Sequence, residues 1–174
     1  MIKKYLAKDE NIIAKIICFI LLVFVYNFCM GCSNQIEKNT ENDKIGNKYS
    51  ITDSTGTVIN FEKKPEKIVS LSISTDEILI DLVDSKRITA VTYLADDPEI
   101  SNIVDRVKSI PNRAYGNSAE ALLAMHPDII IAADFFKQEM IQSLRDLGLK
   151  VYVYKTPNNM EEIKKAINDI AVLV

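Results

Sequence analysis

The sequence predicts an α/β fold built on a parallel sheet, and three observations lead there. From Pro65 onward, short apolar runs alternate with stretches whose apolar residues recur at helical spacing, the pattern of βαβ units. Ahead of them, Tyr49 and Ile51 on one side and Val58, Ile59 and Phe61 on the other flank Asp53-Ser54-Thr55-Gly56, a turn-forming cluster that predicts an opening β-hairpin. Earlier still, the chain is organised for export rather than packing: lysines at 3, 4, 8 and 15, an apolar run Ile16 to Phe28, then Gly31-Cys32 and an abrupt change to polar sequence.

That start divides the chain into three. Residues 1–31 read as a lipoprotein signal peptide, with the Cys32 thiol acylated and Cys32 becoming the new N-terminus. A transmembrane anchor over Ile12 to Met30 is the alternative, interrupted by Lys15 and Asn27, and Cys29 stands where lipoprotein signals usually carry Leu. Either one tethers the remainder to a membrane surface outside the cytoplasm. Residues 32–48, rich in Asn, Lys, Glu and Gln and nearly free of apolar residues, read as a flexible tether. Residues 49–174 are of ordinary single-domain size.

Composition narrows the function. The whole chain carries a net charge of −3, and removal of a signal holding four lysines against Asp9 and Glu10 makes it more negative, which argues against a nucleic-acid surface. Cys18, Cys29 and Cys32 all lie in or at the edge of the signal, so the folded part has no disulfide framework and no thiolate metal site.

The elements follow in order. Ile68 to Leu71 is the first buried strand. Ser74 or Thr75 caps the next helix, with Asp76 and Glu77 in its first turn and Ile78, Leu79, Leu82 and Val83 facing inward. Arg87 to Thr92 is a second strand, and Asp97-Pro98 starts a short helix through Val104. Arg106 to Ile110 leads into a loop, Pro111 to Asn117, whose Arg113, Tyr115 and Gly116 suit binding. Ser118 caps a helix from Ala119 to Met125, His126-Pro127-Asp128 turns the chain, and Ile129 to Ala132 is a continuous apolar strand. Lys137 to Leu147 is helical and ends at Gly148, Val151 to Tyr154 is a strand, and Asn159 to Val174 is the last helix.

Read in order, the hairpin ITDSTGTVINFEKKPEKIVSL, the strand-to-helix turn SLSISTDEIL, the segment YGNSAEALLAMHPDIIIA and LGLKVYVYKTPNNMEEIKKAI resemble the periplasmic-binding-protein family that serves iron-siderophore, haem and cobalamin ABC importers. The resemblance runs from Ile51 to Val174 and implies the N-terminal lobe of a bilobed substrate-binding protein. In that family two α/β lobes are joined by a long helix and hold the ligand between them. The second lobe is not in the sequence, so a truncated product, a split gene or a partial chain is expected. The implied partners are a permease, an ATPase and a small metal chelate, with a ferric siderophore first and haem or a corrinoid next; no resident cofactor is implied. The resemblance also places Glu120 on the outer surface as a permease-docking carboxylate, whereas charge pattern alone makes it a solvated residue of a helix's first turn.

Ligand contacts in an open α/β sheet come from beyond the carboxyl ends of its strands. That rule selects Ser72, Ser74 and Thr75 after the first strand, Tyr93 and Leu94 after the second, Arg113 and Tyr115 in the long loop, and Asp134, Phe135 and Phe136 after Ala132. The aromatics offer flat apolar area and Arg113 suits a carboxylate or catecholate oxygen. The single histidine, His126, reads as a surface turn residue rather than a metal ligand, which would want several partners. An enzyme finds little support: there is no nucleophile elbow, no phosphate-binding glycine loop and no histidine placed as a base for Ser72 or Ser74. A membrane-tethered, non-enzymatic interaction module, or a non-functional remnant, is the remaining alternative.

Overall fold

The computed structural model describes residues 48–115 and 118–174. The chain divides into two units, 1–43 and 44–174, and the described residues all belong to the second. The expected signal, Cys32, the expected tether up to residue 47 and the pair Gly116-Asn117 lie outside the described residues.

β1 (Tyr49–Thr52) and β2 (Val58–Phe61) form the predicted antiparallel hairpin, Tyr49 opposite Phe61 and Thr52 opposite Val58. Its turn is made by Gly56 at φ +83° and by Asp53, whose Oδ1 accepts from the Thr55 and Thr57 amides. Ile59 and Phe61 point into the core, and the Tyr49 and Phe61 rings stack with centroids 5.0 Å apart.

The remaining strands are β3 (Ile68–Ser70), β4 (Ile88–Thr92), β5 (Asn112–Ala114), β6 (Ile129–Ala133) and β7 (Val151–Tyr154). They pair in parallel in the order β5-β4-β3-β6-β7. The helices are α1 (Ile73–Leu82), α2 (Ala119–Ala124), α3 (Gln138–Asp146) and α4 (Met160–Leu173). Successive strand residues feed opposite cores. Ile129, Ile131, Tyr152 and Tyr154 pack with Leu79 of α1 and Ile170 and Leu173 of α4. Ile130, Ala132, Val151 and Val153 pack with Leu122 of α2 and Ile141 and Leu144 of α3. Both faces are covered, which is why β6 and β7 read as unbroken apolar runs. A bulge at Thr89 keeps the alternation in β4: Ile68 lies opposite Ile88 but Val69 opposite Ala90, so Ile88 and Val91 share the first core and Ala90 the second.

This order sets the crevice. The chain steps from β3 to β4 and β5 on one side, then returns to β6 and β7 on the other. The helices after β3 and β6 therefore leave toward opposite faces, and the space between those two strand ends is the topological switch point.

Four expectations need correction. The cap of α1 is Ser72, whose side chain accepts from the Thr75 amide, because Ser74 and Thr75 already lie within the helix. Leu82 is 38% exposed rather than inward, since on α1 only Thr75, Asp76 and Leu79 are buried. No helix runs from Asp97 to Val104: the Asp97 side chain accepts from the Glu99 amide in a local turn, and single 3₁₀ turns at Tyr93–Asp96 and Arg106–Ser109 flank it. The loop from Pro111 contains β5, a short edge strand whose three residues were too few to show a period. Among the described residues no helix is long and apolar enough to cross a membrane; the run Ile12 to Met30 lies outside them.

Candidate functional site

The carboxyl ends of the five strands form a row, and the strand order puts aromatic groups toward both ends of it. In β4 and β5, Thr92 pairs with Ala114, so the next residue of each strand, Tyr93 and Tyr115, emerge side by side. Their rings stack at 5.2 Å and 10° and remain 48% and 66% exposed. Leu94, the next residue, is half-buried. On the far side of β3, Phe135 follows β6, stands 66% exposed and stacks on the half-buried Phe136 at 5.0 Å.

Arg113 takes part in a different way from that expected. Its Nε and Nη2 grip the Asp96 carboxylate at 2.6 and 2.7 Å, Nη1 donates to the Ile110 and Asn112 carbonyls, and Nη2 also donates to Val107. All the donors of the guanidinium are engaged by protein oxygens, leaving none for a ligand anion. The pair instead ties the turn that carries Tyr93 to the strand that carries Tyr115. Asp96 is held below the usual carboxylate range by the Arg113 hydrogen bonds and charge.

Between the aromatic groups, at the end of β3, lies a chain of hydroxyls. Ser70 Oγ and Ser72 Oγ lie 2.5 and 2.8 Å from Thr75 Oγ1, and the Tyr154 hydroxyl lies 3.1 Å from Ser72 Oγ and 2.5 Å from Ser74 Oγ. Thr75 is fully buried and its hydroxyl is spent inside this chain, so its selection as a ligand contact is corrected. Ser72 is nearly buried as a cap, whereas Ser74 is half-buried with Tyr154 at its side. Asp134 is exposed but committed: its Oδ1 accepts from the Thr156 amide and hydroxyl, joining the ends of β6 and β7.

Beneath the row sits Asp76, with no solvent exposure. Its Oδ2 accepts from the Thr92 amide at 3.0 Å, and Oδ1 has no hydrogen-bond partner among the described residues. Burial pushes its carboxyl up to about 7, against the opposing influence of the nearby Ser70 hydroxyl, the Thr92 hydrogen bond and the charge of Arg113. The Ser70 hydroxyl makes its geometrically sound bonds to Thr75 and to the Ser72 carbonyl, so its influence on Asp76 is that of a close dipole.

Elsewhere, Glu120 is exposed in the first turn of α2, where Ser118 caps the helix through the Ala121 amide and also donates to Glu120 Oε2. His126 is an exposed turn residue at φ 48°. Among the described residues no group of three or more His, Cys, Asp or Glu side chains is placed to hold a metal ion. The row thus unites Ser72, Ser74, Tyr93, Tyr115 and Phe135, while Glu120 stands apart on α2. Sequence reasoning missed Tyr154, although the last residue of a buried strand lies by that fact at the carboxyl edge; it also missed Asp76 and the latch formed by Asp96 with Arg113.

The sequence model of the periplasmic binding protein family matches residues 68–174. An uncharacterized ABC transporter substrate-binding lipoprotein of Bacillus subtilis, YvrC, is 24% identical over 146 residues, covering 80% of this chain and 45% of that protein. The vitamin B12-binding protein of Yersinia pestis is 28% identical over 107 residues, 61% of this chain and 36% of that protein. Among solved structures, the haem-binding protein HmuT superposes with a TM-score of 0.58 at 19% identity, covering 78% of this chain and 43% of its own. CeuE of Helicobacter pylori superposes at 0.60 and 14% identity, covering 72% and 42%. The two structures share the α/β architecture, and the curated relatives are named as binding proteins. The chain spans less than half the length of the relatives it matches.

Proposed function

The chain belongs to the periplasmic binding protein family, and from that premise we propose that it is the first lobe of an extracytoplasmic, non-enzymatic solute receptor that delivers its ligand to an ABC permease and ATPase. The ligand is a metal chelate with an extended flat or aromatic surface: a ferric siderophore, haem or a corrinoid. The carrying observation is the exposed Tyr93–Tyr115 stack, latched by Arg113 to Asp96 beside the Ser74 and Tyr154 hydroxyls at the sheet's switch point. Exposed aromatic rings held rigid lose little entropy on binding, and hydroxyls beside them satisfy the polar rim of a chelate. Because the relatives are more than twice as long as the stretch they share with this chain, the row is proposed as one wall of a cleft whose other wall is a second lobe. Acylation at Cys32 holds the receptor at the membrane, and Glu120 meets the permease.

The test is titration calorimetry of the full chain with haemin, cobalamin and a ferric catecholate siderophore, beside a chain completed with a homologous second lobe. Saturable binding of one chelate, weakened by replacing Tyr93 and Tyr115 with Ala, supports the reading. No heat from either protein with any of the three removes it.

A further inference from the structure

The aromatic groups of the site face solvent, but the titratable group at its base does not. Asp76 reaches from the first turn of α1 to the end of β4, where it accepts the amide of Thr92, the residue before Tyr93. The carboxyl is fully buried, and its second oxygen has no hydrogen-bond partner among the described residues. A buried carboxylate with an empty oxygen forgoes bonds that its charge needs, whereas a carboxylic acid turns one oxygen into a donor. The Ser70 hydroxyl lies near the carboxyl, on a hydroxyl chain that runs through Thr75, Ser72 and Tyr154 to Ser74, and its lone pairs would receive that O–H after a small adjustment.

We propose that Asp76 is a proton-binding site that couples the protonation of the lobe's interior to the pose of the Tyr93–Tyr115 stack, making ligand capture proton-linked. The regulation rests on the reading of that stack as the ligand surface. Ionised, Asp76 holds the Thr92 amide by a charge-assisted bond and attracts Arg113, the residue that latches the turn bearing Tyr93. Protonated at Oδ1, it keeps only a weaker, neutral bond from the Thr92 amide to Oδ2 and no longer attracts Arg113.

The groups around it act in opposite directions. Arg113 on β5 favours the charged form, as do the Ser70 hydroxyl on β3 and the Thr92 amide on β4; Glu77, its neighbour on α1, disfavours it. Asp96, after β4, is compensated by its ion pair with Arg113. Burial outweighs the favourable contacts and brings the carboxyl to about 7. A negatively charged chelate resting on the stack adds to the cost of ionising Asp76, so binding takes up a proton and affinity for anions rises on acidification.

The experiment needs no ligand. In the full 174-residue chain, the Thr92 amide and the Tyr93 and Tyr115 ring resonances are followed by NMR through neutral pH. The expected result is one shared midpoint near neutrality, lost in Asp76→Asn and moved downward in Glu77→Gln. His126, the one histidine of the sequence, sits in the turn before β6, at the amino edge of the sheet and away from these reporters. A Thr92 amide that does not titrate, a titration that survives in Asp76→Asn, or rings that ignore the amide's midpoint would each overturn the coupling. If Asp76→Asn does not fold, the wild-type midpoint and its shift in Glu77→Gln decide. Failure here leaves chelate capture standing, and failure of every chelate to bind leaves the proton site standing, so the two readings fall separately.

Discussion

Arg145, at the end of α3, donates to the buried carboxylate of Asp53 in the hairpin turn at 2.5 Å. The same Asp53 oxygen accepts the Val153 amide of β7, while the other accepts from Thr55 and Thr57. One carboxylate thus fixes the hairpin turn, the outermost strand and a helix of the opposite face. Arg145→Met leaves that charge buried without a counter-ion, and a loss of about 3 to 5 kcal/mol is expected. Urea unfolding measures it. A loss below ~1 kcal/mol would mean that the apolar contacts of Ile59 and Phe61 anchor the hairpin without the ion pair.

Asp76 predicts an unusual pH dependence of stability. Its folded value, about 7, lies above the ordinary 3.8, so between those values the folded state holds a proton that the unfolded chain does not. The resulting stability is fully present below the unfolded value and is lost as pH rises through the folded one. The full swing is on the order of 4 kcal/mol. Most carboxylates act the other way, so the signature is a net midpoint in urea that falls from mildly acidic pH toward pH 8 in the wild type and flattens in Asp76→Asn, which mimics the neutral acid. Parallel curves for the two proteins would show that Asp76 is not the group responsible.

The fold was legible where periodicity had room to act. β6 and β7, apolar on every residue, and α4, with Asn159 as cap and Glu162 accepting the Asn158 amide, carry signals long enough to survive without tertiary context. β5 was not legible, because three residues held by pairing to β4 contain no period. At the row, the carboxyl-edge rule selected aromatic residues that do stand beyond the strand ends, since it depends only on strand order. It failed on Arg113 and Thr75, whose partners Asp96 and Ser70 are set by packing and give no local sign of it. Asp76 looked like a helix-start acid and sits where such acids belong; only burial against Thr92 distinguishes it.

Tyr93 and Tyr115 separate stability from binding. Both rings are largely exposed and make their main contact with each other, so their joint replacement by Ala is expected to cost ~1 kcal/mol of stability or less. For a bound chelate the same change removes the flat surface, and a weakening of about 30-fold, the equivalent of ~2 kcal/mol, is expected. Calorimetry beside urea unfolding reads both. Undiminished affinity would move the ligand surface to Phe135 on the other side of the row.

Glu120 separates a solvated first-turn acid from a docking group. It is exposed, its one side-chain hydrogen bond among the described residues is a long 3.4 Å contact from Ser118, and it lies in the first turn of α2, where a carboxylate meets the helix dipole favourably. Glu120→Gln is therefore expected to cost about 0.3 to 1 kcal/mol and nothing more in the isolated chain. Glu120→Arg costs a similar small amount but reverses the charge offered to a permease, and mismatched charges at an interface slow association and weaken it. In a complete receptor with its own permease, Glu120→Arg is expected to reduce ligand uptake sharply while ligand affinity in solution is unchanged. Uptake equal to wild type would leave Glu120 as a helix-start residue and place the docking surface elsewhere on the lobe.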